Sequence, residues 1–235
     1  MLRGRAERRN STAAYDSAKT GDVKRLVSAA LFVVFPATAL AADLGPNDAS
    51  LNAKPERRSG LIFGTSGGFA LGTAKGYPND ARKIGDPAYY AAGGAMPGYA
   101  VNFFVMGALV DVFNFGLWFG KSQLSTGDWS SSGIAGGFRI EAYPLYSVWK
   151  PFLKDFGVSA QFGVGGASLD ASRPSAYEGS SGTQSFLGLG AFYELRPFKR
   201  FFTIAPDVEL NYITARAIDR YWVQLGARIA ITTGP

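Results

Sequence analysis

The most constraining feature of this sequence is a two-residue alternation that recurs from Ser59 to Thr232. In the last segment, Tyr221 to Thr232, one parity is apolar or aromatic and the other is mostly polar or small. Successive side chains of a β-strand point to opposite faces, so each such segment is predicted to be a strand with one oily and one polar face. Eight segments follow this pattern: Leu61–Leu71, Tyr99–Leu109, Phe113–Lys121, Ile134–Ala142, Phe156–Val164, Leu187–Leu195, Phe202–Tyr212 and Tyr221–Thr232.

Composition excludes several classes of chemistry. The 235 residues include no cysteine, which excludes a disulfide scaffold, a thiolate nucleophile and cysteine-ligated metal. They include no histidine, which excludes a Ser-His-Asp triad and histidine metal sites. We therefore predict no cofactor, no metal site and no enzymatic activity. The formal net charge of +6 arises mostly from residues 1–42, so the rest of the chain lacks the basic stripe of a nucleic-acid-binding protein.

The N-terminal region has the composition of a secretory signal peptide. Lys24 and Arg25 precede an uncharged run from Leu26 to Ala42, and Ala39-Leu40-Ala41 is a cleavage motif. The alternative is a transmembrane anchor helix, but the run is short for a span of about 20 residues and contains Pro36. The predicted organisation is a signal region over residues 1–41, a flexible polar leader over 42–58 and a β-barrel over 59–235. The stretch before the uncharged run is unusually long for the start of a signal peptide, which suggests that residues 1–22 come from a misassigned start codon.

The orientation of the two faces distinguishes two kinds of barrel. A soluble lipocalin-like barrel turns its oily face inward, whereas a membrane barrel turns it toward lipid. Here the polar face consists mostly of Gly, Ala, Ser, Asn and Gln, and the oily face of the eight segments carries no charge except Lys121, the last residue of its segment. Strands of about 9–12 residues are long enough to cross a bilayer at a tilt. The pattern favours a closed membrane barrel, with a soluble periplasmic ligand-binding barrel as the alternative.

With these segments and the signal peptide, the chain resembles the small outer-membrane β-barrel proteins of Gram-negative bacteria, the eight-stranded OmpA/OmpX-like class. The resemblance covers roughly residues 59–232. It implies an all-β fold, an eight-stranded antiparallel up-and-down transmembrane barrel that follows a cleaved signal peptide. It also implies location in the outer membrane, insertion by the barrel assembly machinery, and contact with membrane lipids, including lipopolysaccharide.

Charged residues of the polar parity are predicted to pair inside the barrel, because buried charges need partners. A set of carboxylates could also serve acid–base catalysis, but membrane-barrel enzymes of that kind rely on histidine. We therefore expect an ion-pair network that fills and stiffens the lumen. Its predicted members are Arg139, Glu141, Glu194, Arg196, Asp207, Glu209 and Arg228.

Connections between the segments alternate between short and long. Short ones, Val110–Val112 and Pro197–Arg200, fit one side, and the long stretches 74–98, 122–132 and 168–184 fit the other, outer side. The 74–98 loop is the best binding candidate, because long loops on a rigid scaffold carry recognition. Its predicted contact residues are Arg82, Lys83, Tyr89 and Tyr90. Arg220 is predicted to be an outer-side loop charge, and Trp222 an aromatic residue at the headgroup level.

These features predict a structural or surface-interaction role. A narrow channel for small solutes is the alternative, although an eight-stranded barrel barely holds its own side chains.

Overall fold

The computed structural model describes residues 60–77, 84–147, 151–172, 180–198, 201–215 and 217–233. The chain divides into two compact units, Met1–Lys54 and Pro55–Pro235, and every described residue belongs to the second. The predicted signal peptide and polar leader lie outside the described residues. Within the described ranges, no helix has the length and apolar character needed to cross a membrane.

The described residues form ten β-strands, of which eight are long. The long strands are β1 (Leu61–Gly76), β3 (Met96–Val110), β4 (Phe113–Ser125), β5 (Trp129–Ala142), β6 (Phe156–Ala171), β7 (Ser180–Tyr193), β9 (Phe202–Thr214) and β10 (Ile218–Thr232). The short strands are β2 (Ala91–Ala92) and β8 (Leu195–Phe198), and 3₁₀ segments cover Pro87–Tyr89 and Pro151–Asp155.

The eight long strands close into one antiparallel barrel. Each long strand pairs with its sequence neighbours, and β10 pairs with both β9 and β1. The predicted eight-stranded, antiparallel, up-and-down barrel is confirmed. Closure leaves no unpaired edge among the long strands, as a bilayer requires of a spanning sheet.

The register of the strands is staggered around the barrel. When the paired residues are followed from strand to strand once around the barrel, the path that starts at Phe63 of β1 returns to β1 at Thr73, ten residues further along. The positions in order are Phe63, Val105, Leu117, Phe138, Phe162, Leu187, Tyr212, Tyr221 and Thr73. Such a stagger over eight strands corresponds to a strand tilt of about 40° and a lumen that side chains can fill.

Apolar side chains cover the outside of the barrel. Leu117 is 59% exposed and Val164 is 65% exposed, and large apolar residues of β1, β3, β5, β9 and β10 also face outward, with exposed fractions between 37% and 63%. On β7 the outward Leu187 and Leu189 are half-buried. Phe115 and Ile229 also point outward, while Arg228 is only 1% exposed inside. The predicted orientation is therefore confirmed, and the lipocalin-like alternative, which inverts the faces, is wrong. We call this outward surface the apolar band.

The strands are longer than predicted at the end opposite the chain termini, which we call the loop end. There β4 continues to Ser125, β6 to Ala171, and β7 begins at Ser180. The outer connections expected at 122–132, 168–184 and 74–98 shrink to residues 126–128, 172–179 and 77–95. The prediction ended these strands too early because their outward faces become polar before the strands end. On β4, for example, Lys121 and Gln123 follow the apolar band, so apolar and polar side chains no longer alternate.

The other end carries the links 111–112, 143–155 and 194–201, and we call it the turn end. Here the predicted segment Leu187–Leu195 divides, because β7 stops at Tyr193 and Leu195 belongs to β8. Glu194 lies between the two strands and is buried.

Candidate functional site

The lumen collects the charges of three strands and one strand end. β5 contributes Arg139 and Glu141, β9 contributes Glu209, and β10 contributes Arg228, while Glu194 follows β7. Residues two apart on a strand share a face, so the polar parity of each strand projects inward. All five side chains are buried, each at most 2% exposed. We call these five residues the lumen network.

Opposite charges alternate along the lumen network. Arg139 donates from Nε to Glu141 Oε1 and from Nη1 to Glu209 Oε1, both at 2.9 Å. Arg228 donates from Nη2 to Glu141 Oε2 and from Nη1 to Glu194 Oε1, both at 2.8 Å. The ion pairs therefore form one chain that joins Glu209, Arg139, Glu141, Arg228 and Glu194 in this order.

Neutral side chains donate further hydrogen bonds to the carboxylates. Glu209 accepts hydrogen bonds from Asn102 Nδ2 at 2.9 Å and from Gln161 Nε2 at 3.0 Å. Tyr143 donates its hydroxyl to Glu194 Oε1 at 2.9 Å. Each of these groups comes from a different strand or strand end, so the network ties several parts of the barrel wall together.

Aromatic rings cover both guanidinium groups. The Phe104 ring centroid lies 4.9 Å from the Cζ atom of Arg139 and 4.9 Å from that of Arg228. Phe192 lies 4.5 Å from Arg228 Cζ on the same measure. Cation–π contacts of this kind stabilise a desolvated arginine, and the rings also occupy space that water would otherwise fill.

Two of the seven residues predicted for the network lie apart from the chain of ion pairs. Arg196 is at the turn end, where its Nη2 is 3.0 Å from Asp155 Oδ1 and 3.6 Å from Glu194 Oε2. Asp207 is inside the lumen, but neither of its carboxylate oxygens has a hydrogen-bond partner. The structure thus brings five of the seven into one chain, with Arg196 at its margin and Asp207 without a direct partner among the described residues.

Large aromatic side chains inside the barrel are absent from the sequence-based prediction. Phe104 and Phe192 lie on the parity that was expected to carry small or polar residues. Glycine makes room for both, because a methyl group at Gly64 would overlap the Phe104 ring and one at Gly157 would overlap the Phe192 ring. An inward glycine opposite an inward aromatic residue on the neighbouring strand is the signal that would have found them.

Arg220 and Trp222 lie inside the barrel, contrary to prediction. Both belong to β10, which begins at Ile218 rather than Tyr221, so Arg220 is a strand residue and not a loop charge. It is fully buried, and Trp222 is 4% exposed. The inward face of β10 therefore begins at Ile218, three residues before the predicted start of the strand, and carries the large side chains of Arg220 and Trp222.

The predicted loop contacts lie in the 77–95 connection. Asp86 caps the 3₁₀ segment Pro87–Tyr89 by accepting from the Ala88 N–H at 3.1 Å. The Tyr90 ring packs edge-on against Tyr77, with centroids 5.3 Å apart. Arg82 and Lys83 lie outside the described residues. No cluster of three or more carboxylates suited to a metal ion occurs among the side chains that the structure describes.

No protein-family profile matches this sequence, and no curated protein matches it. Solved structures do resemble it in fold. The attachment invasion locus protein Ail of Yersinia pestis is 13% identical, with 73% of this chain and 99% of that chain covered and a TM-score of 0.42. Neisserial surface protein A is 9% identical, with 74% of this chain and 99% of that chain covered and a TM-score of 0.42. The outer membrane protein OprG of Pseudomonas aeruginosa is 10% identical, with 77% of this chain and 100% of that chain covered and a TM-score of 0.39. At these values the likeness concerns the fold alone.

Proposed function

We propose that this protein is an integral outer-membrane β-barrel with a closed lumen and a structural or surface-interaction role. The observation that carries the proposal is the lumen network, a continuous chain of buried ion pairs across the barrel interior. Phe104 packs between its two arginines and fills the space beside them. A lumen occupied in this way leaves little room for a solute to pass.

The apolar band supports the membrane location. A water-soluble barrel would gain nothing from a ring of exposed Phe, Leu and Val side chains, whereas such a ring matches the hydrocarbon region of a bilayer. Membrane fractionation followed by gel electrophoresis tests the location. We expect the protein in the outer-membrane fraction, with a folded form whose mobility changes on heating. Recovery in the soluble periplasmic fraction would contradict the proposal.

Planar bilayers test the closed lumen against the narrow channel. We expect purified wild-type protein to conduct no more than the bilayer alone, and the double variant Phe104→Ala/Arg228→Ala to open an ion path. Val164→Ala removes volume from the lipid-facing side and serves as the matched control, which should stay silent. Discrete open-channel currents from the wild type would favour the channel instead.

The surface role rests on the 77–95 connection, the longest at the loop end. We propose that Arg82 and Lys83 bind phosphates of lipopolysaccharide while Tyr89 and Tyr90 contact its sugars or a partner protein. The packing of Tyr90 on Tyr77 and the Asp86 cap support a defined conformation for residues 86–90. Vesicles with and without lipopolysaccharide test the proposal: the variant Arg82→Gln/Lys83→Gln should lose the difference in binding, and Lys154→Gln at the turn end should keep it.

A further inference from the structure

A broad depression lies on the outward face of the barrel, across β4, β5 and β6 toward the loop end. It has a volume of about 910 Å³ and is open to the surroundings of the barrel. Gly166 lines it at a point where the outward face of β6 carries no side chain, directly opposite Ile134 of β5. Val164, two residues away on the same face, lines it as well. We call this feature the wall depression.

The lining of the wall depression changes from apolar to polar along the barrel. Toward the turn end it contains Ile134 and Val164, which are 49% and 65% exposed. Toward the loop end it contains Gln123, Ser132 and Ser168, and the two serine hydroxyl oxygens are 2.9 Å apart. The depression therefore crosses the loop-end edge of the apolar band, where the hydrocarbon of a bilayer gives way to headgroups.

Lys121 lines the wall depression at this edge and is exposed on the outward face of β4, opposite Ile134 in the register. No carboxylate of the described residues lies within 4 Å of its ammonium group. Asp170 is the one acid on the outward faces of β4, β5 and β6. It pairs with Ser130, four residues along β5 from Ile134, which is about 13 Å away. The charge of Lys121 is therefore left for an anion that comes from the membrane.

We propose that the wall depression binds one lipid A moiety, the phosphorylated and acylated sugar of lipopolysaccharide. A phosphate accepts hydrogen bonds from Lys121, and an acyl chain lies over Ile134 and Val164. Gln123 and the two serines offer hydrogen-bonding groups beside the phosphate, which suit the hydroxyl and amide groups of a sugar. The inference rests on the proposed function, because lipopolysaccharide meets the loop end only if that end faces outward in the outer membrane.

Native mass spectrometry tests the proposal with full-length, delipidated protein in detergent micelles. We expect saturable binding of one lipid A per barrel, and none of lipid A from which the phosphates have been removed. Lys121→Gln should weaken the affinity about tenfold, as the loss of one charge-assisted contact does. Gly166→Leu should abolish binding, because it fills the depression and leaves Lys121 in place. Its new side chain joins a face that already carries apolar residues.

The matched controls lie on β1, the fourth strand from β6 around the barrel. Lys75→Gln removes an exposed outward cation at the same end, and Thr73→Leu adds bulk on the same face two residues away. Both variants should bind lipid A as the wild type does. Unchanged affinity in either Lys121→Gln or Gly166→Leu would overturn the proposal. Equally tight saturable binding of phosphatidylglycerol would overturn the choice of lipid A. Heat-modifiable mobility on gels verifies that each variant is folded.

The wall depression and the 77–95 connection can fail separately. Lipid A reaches the depression from within the protein's own micelle, whereas the loop residues are tested against separate vesicles. Arg82→Gln/Lys83→Gln should therefore keep the lipid A affinity of the wild type. Recovery in the soluble periplasmic fraction contradicts the membrane location itself. Unchanged affinity of Lys121→Gln in a protein that fractionates with the outer membrane contradicts only the wall depression.

Discussion

Glu141 is the residue on which the interior charges converge, since it accepts from Arg139 at 2.9 Å and from Arg228 at 2.8 Å. Asn114 Nδ2 donates to it as well, at 3.3 Å. A fully buried carboxylate between two guanidinium groups gains from both, and its removal leaves both cations without their shared partner. Identity and inward direction of these charges follow from parity in the sequence, but the pairing order depends on the stagger between strands, which parity alone does not contain.

Glu141→Gln tests how much this central carboxylate contributes to the free energy of unfolding. The substitution keeps the shape of the side chain and removes its charge, so two buried cations lose one of their anions. We expect the free energy of unfolding to fall by about 3 kcal/mol, as for other broken buried ion pairs. Urea unfolding in lipid vesicles, followed by gel mobility, measures this. Arg196→Gln is the control, since Arg196 is 28% exposed and its loss should cost under about 1 kcal/mol. Equal effects of the two substitutions would contradict the prediction that Glu141 contributes more to stability than Arg196.

Asp207→Asn should have the opposite sign. Both carboxylate oxygens of Asp207 are buried without a hydrogen-bond donor, and Glu209 lies on the same face of β9. Replacing the carboxylate by an amide removes a desolvated negative charge that has no direct partner. We expect the variant to be as stable as the wild type or more stable, by up to about 1 kcal/mol. A loss of more than 1 kcal/mol in the same unfolding assay would indicate that Asp207 is an essential member of the lumen network.

At the scale of elements, the sequence predicts the eight long strands and which face of each is oily, because both follow from the period of two, but it misses the short strands β2 and β8. It does not predict where the strands end. On β4 the outward residues change from Phe119 to Lys121 and Gln123 while the strand continues to Ser125. The predicted ends therefore mark the edge of the apolar band and not the end of hydrogen bonding. Backbone pairing continues there without an apolar signal.

The pairing of β6 with β7 contains a testable steric match. Gly157 lies opposite Phe192 in the register, and an added Cβ would overlap the aromatic ring. Gly157→Ala should lower the free energy of unfolding by about 1–3 kcal/mol, as overpacking of a full interior does. Adding Phe192→Leu should recover part of this loss, because the smaller side chain frees the space. If the double variant is less stable than the sum of the two single effects, the proposed match is incorrect.

At the scale of the whole molecule, the barrel is an inverted globule, with charge inside and Phe, Leu and Val outside. This polarity is the part of the fold that sequence predicts best, because the oily parity of the eight segments carries a single charge, Lys121 at the end of Phe113–Lys121. The interior is predicted less well. Its aromatic residues share the inward faces with glycines, and only the pairing of neighbouring strands reveals which glycine accommodates which ring.

Arginine substitutions along the outward face of β4 test whether the apolar band lies in the hydrocarbon region of the bilayer. Leu117 lies within the apolar band and Ser125 lies on the same face at the loop end. In vesicles we expect Leu117→Arg to lower the free energy of unfolding by about 2–4 kcal/mol, and Ser125→Arg to change it by about 1 kcal/mol or less. In water an outward arginine would be tolerated at both positions. Two small and equal effects would therefore contradict a lipid-facing band.

The strand extensions at the loop end have a consequence for reach. The strands extend two to seven residues beyond the predicted segments. At about 3.3 Å per residue and a tilt of about 40°, this raises the strand ends roughly 5–18 Å above the edge of the apolar band. The paired strand ends form a collar there that is held by backbone hydrogen bonds between neighbouring strands. A large soluble molecule can therefore touch the tips without having to press into the headgroups, while a lipid can approach only the collar's flanks.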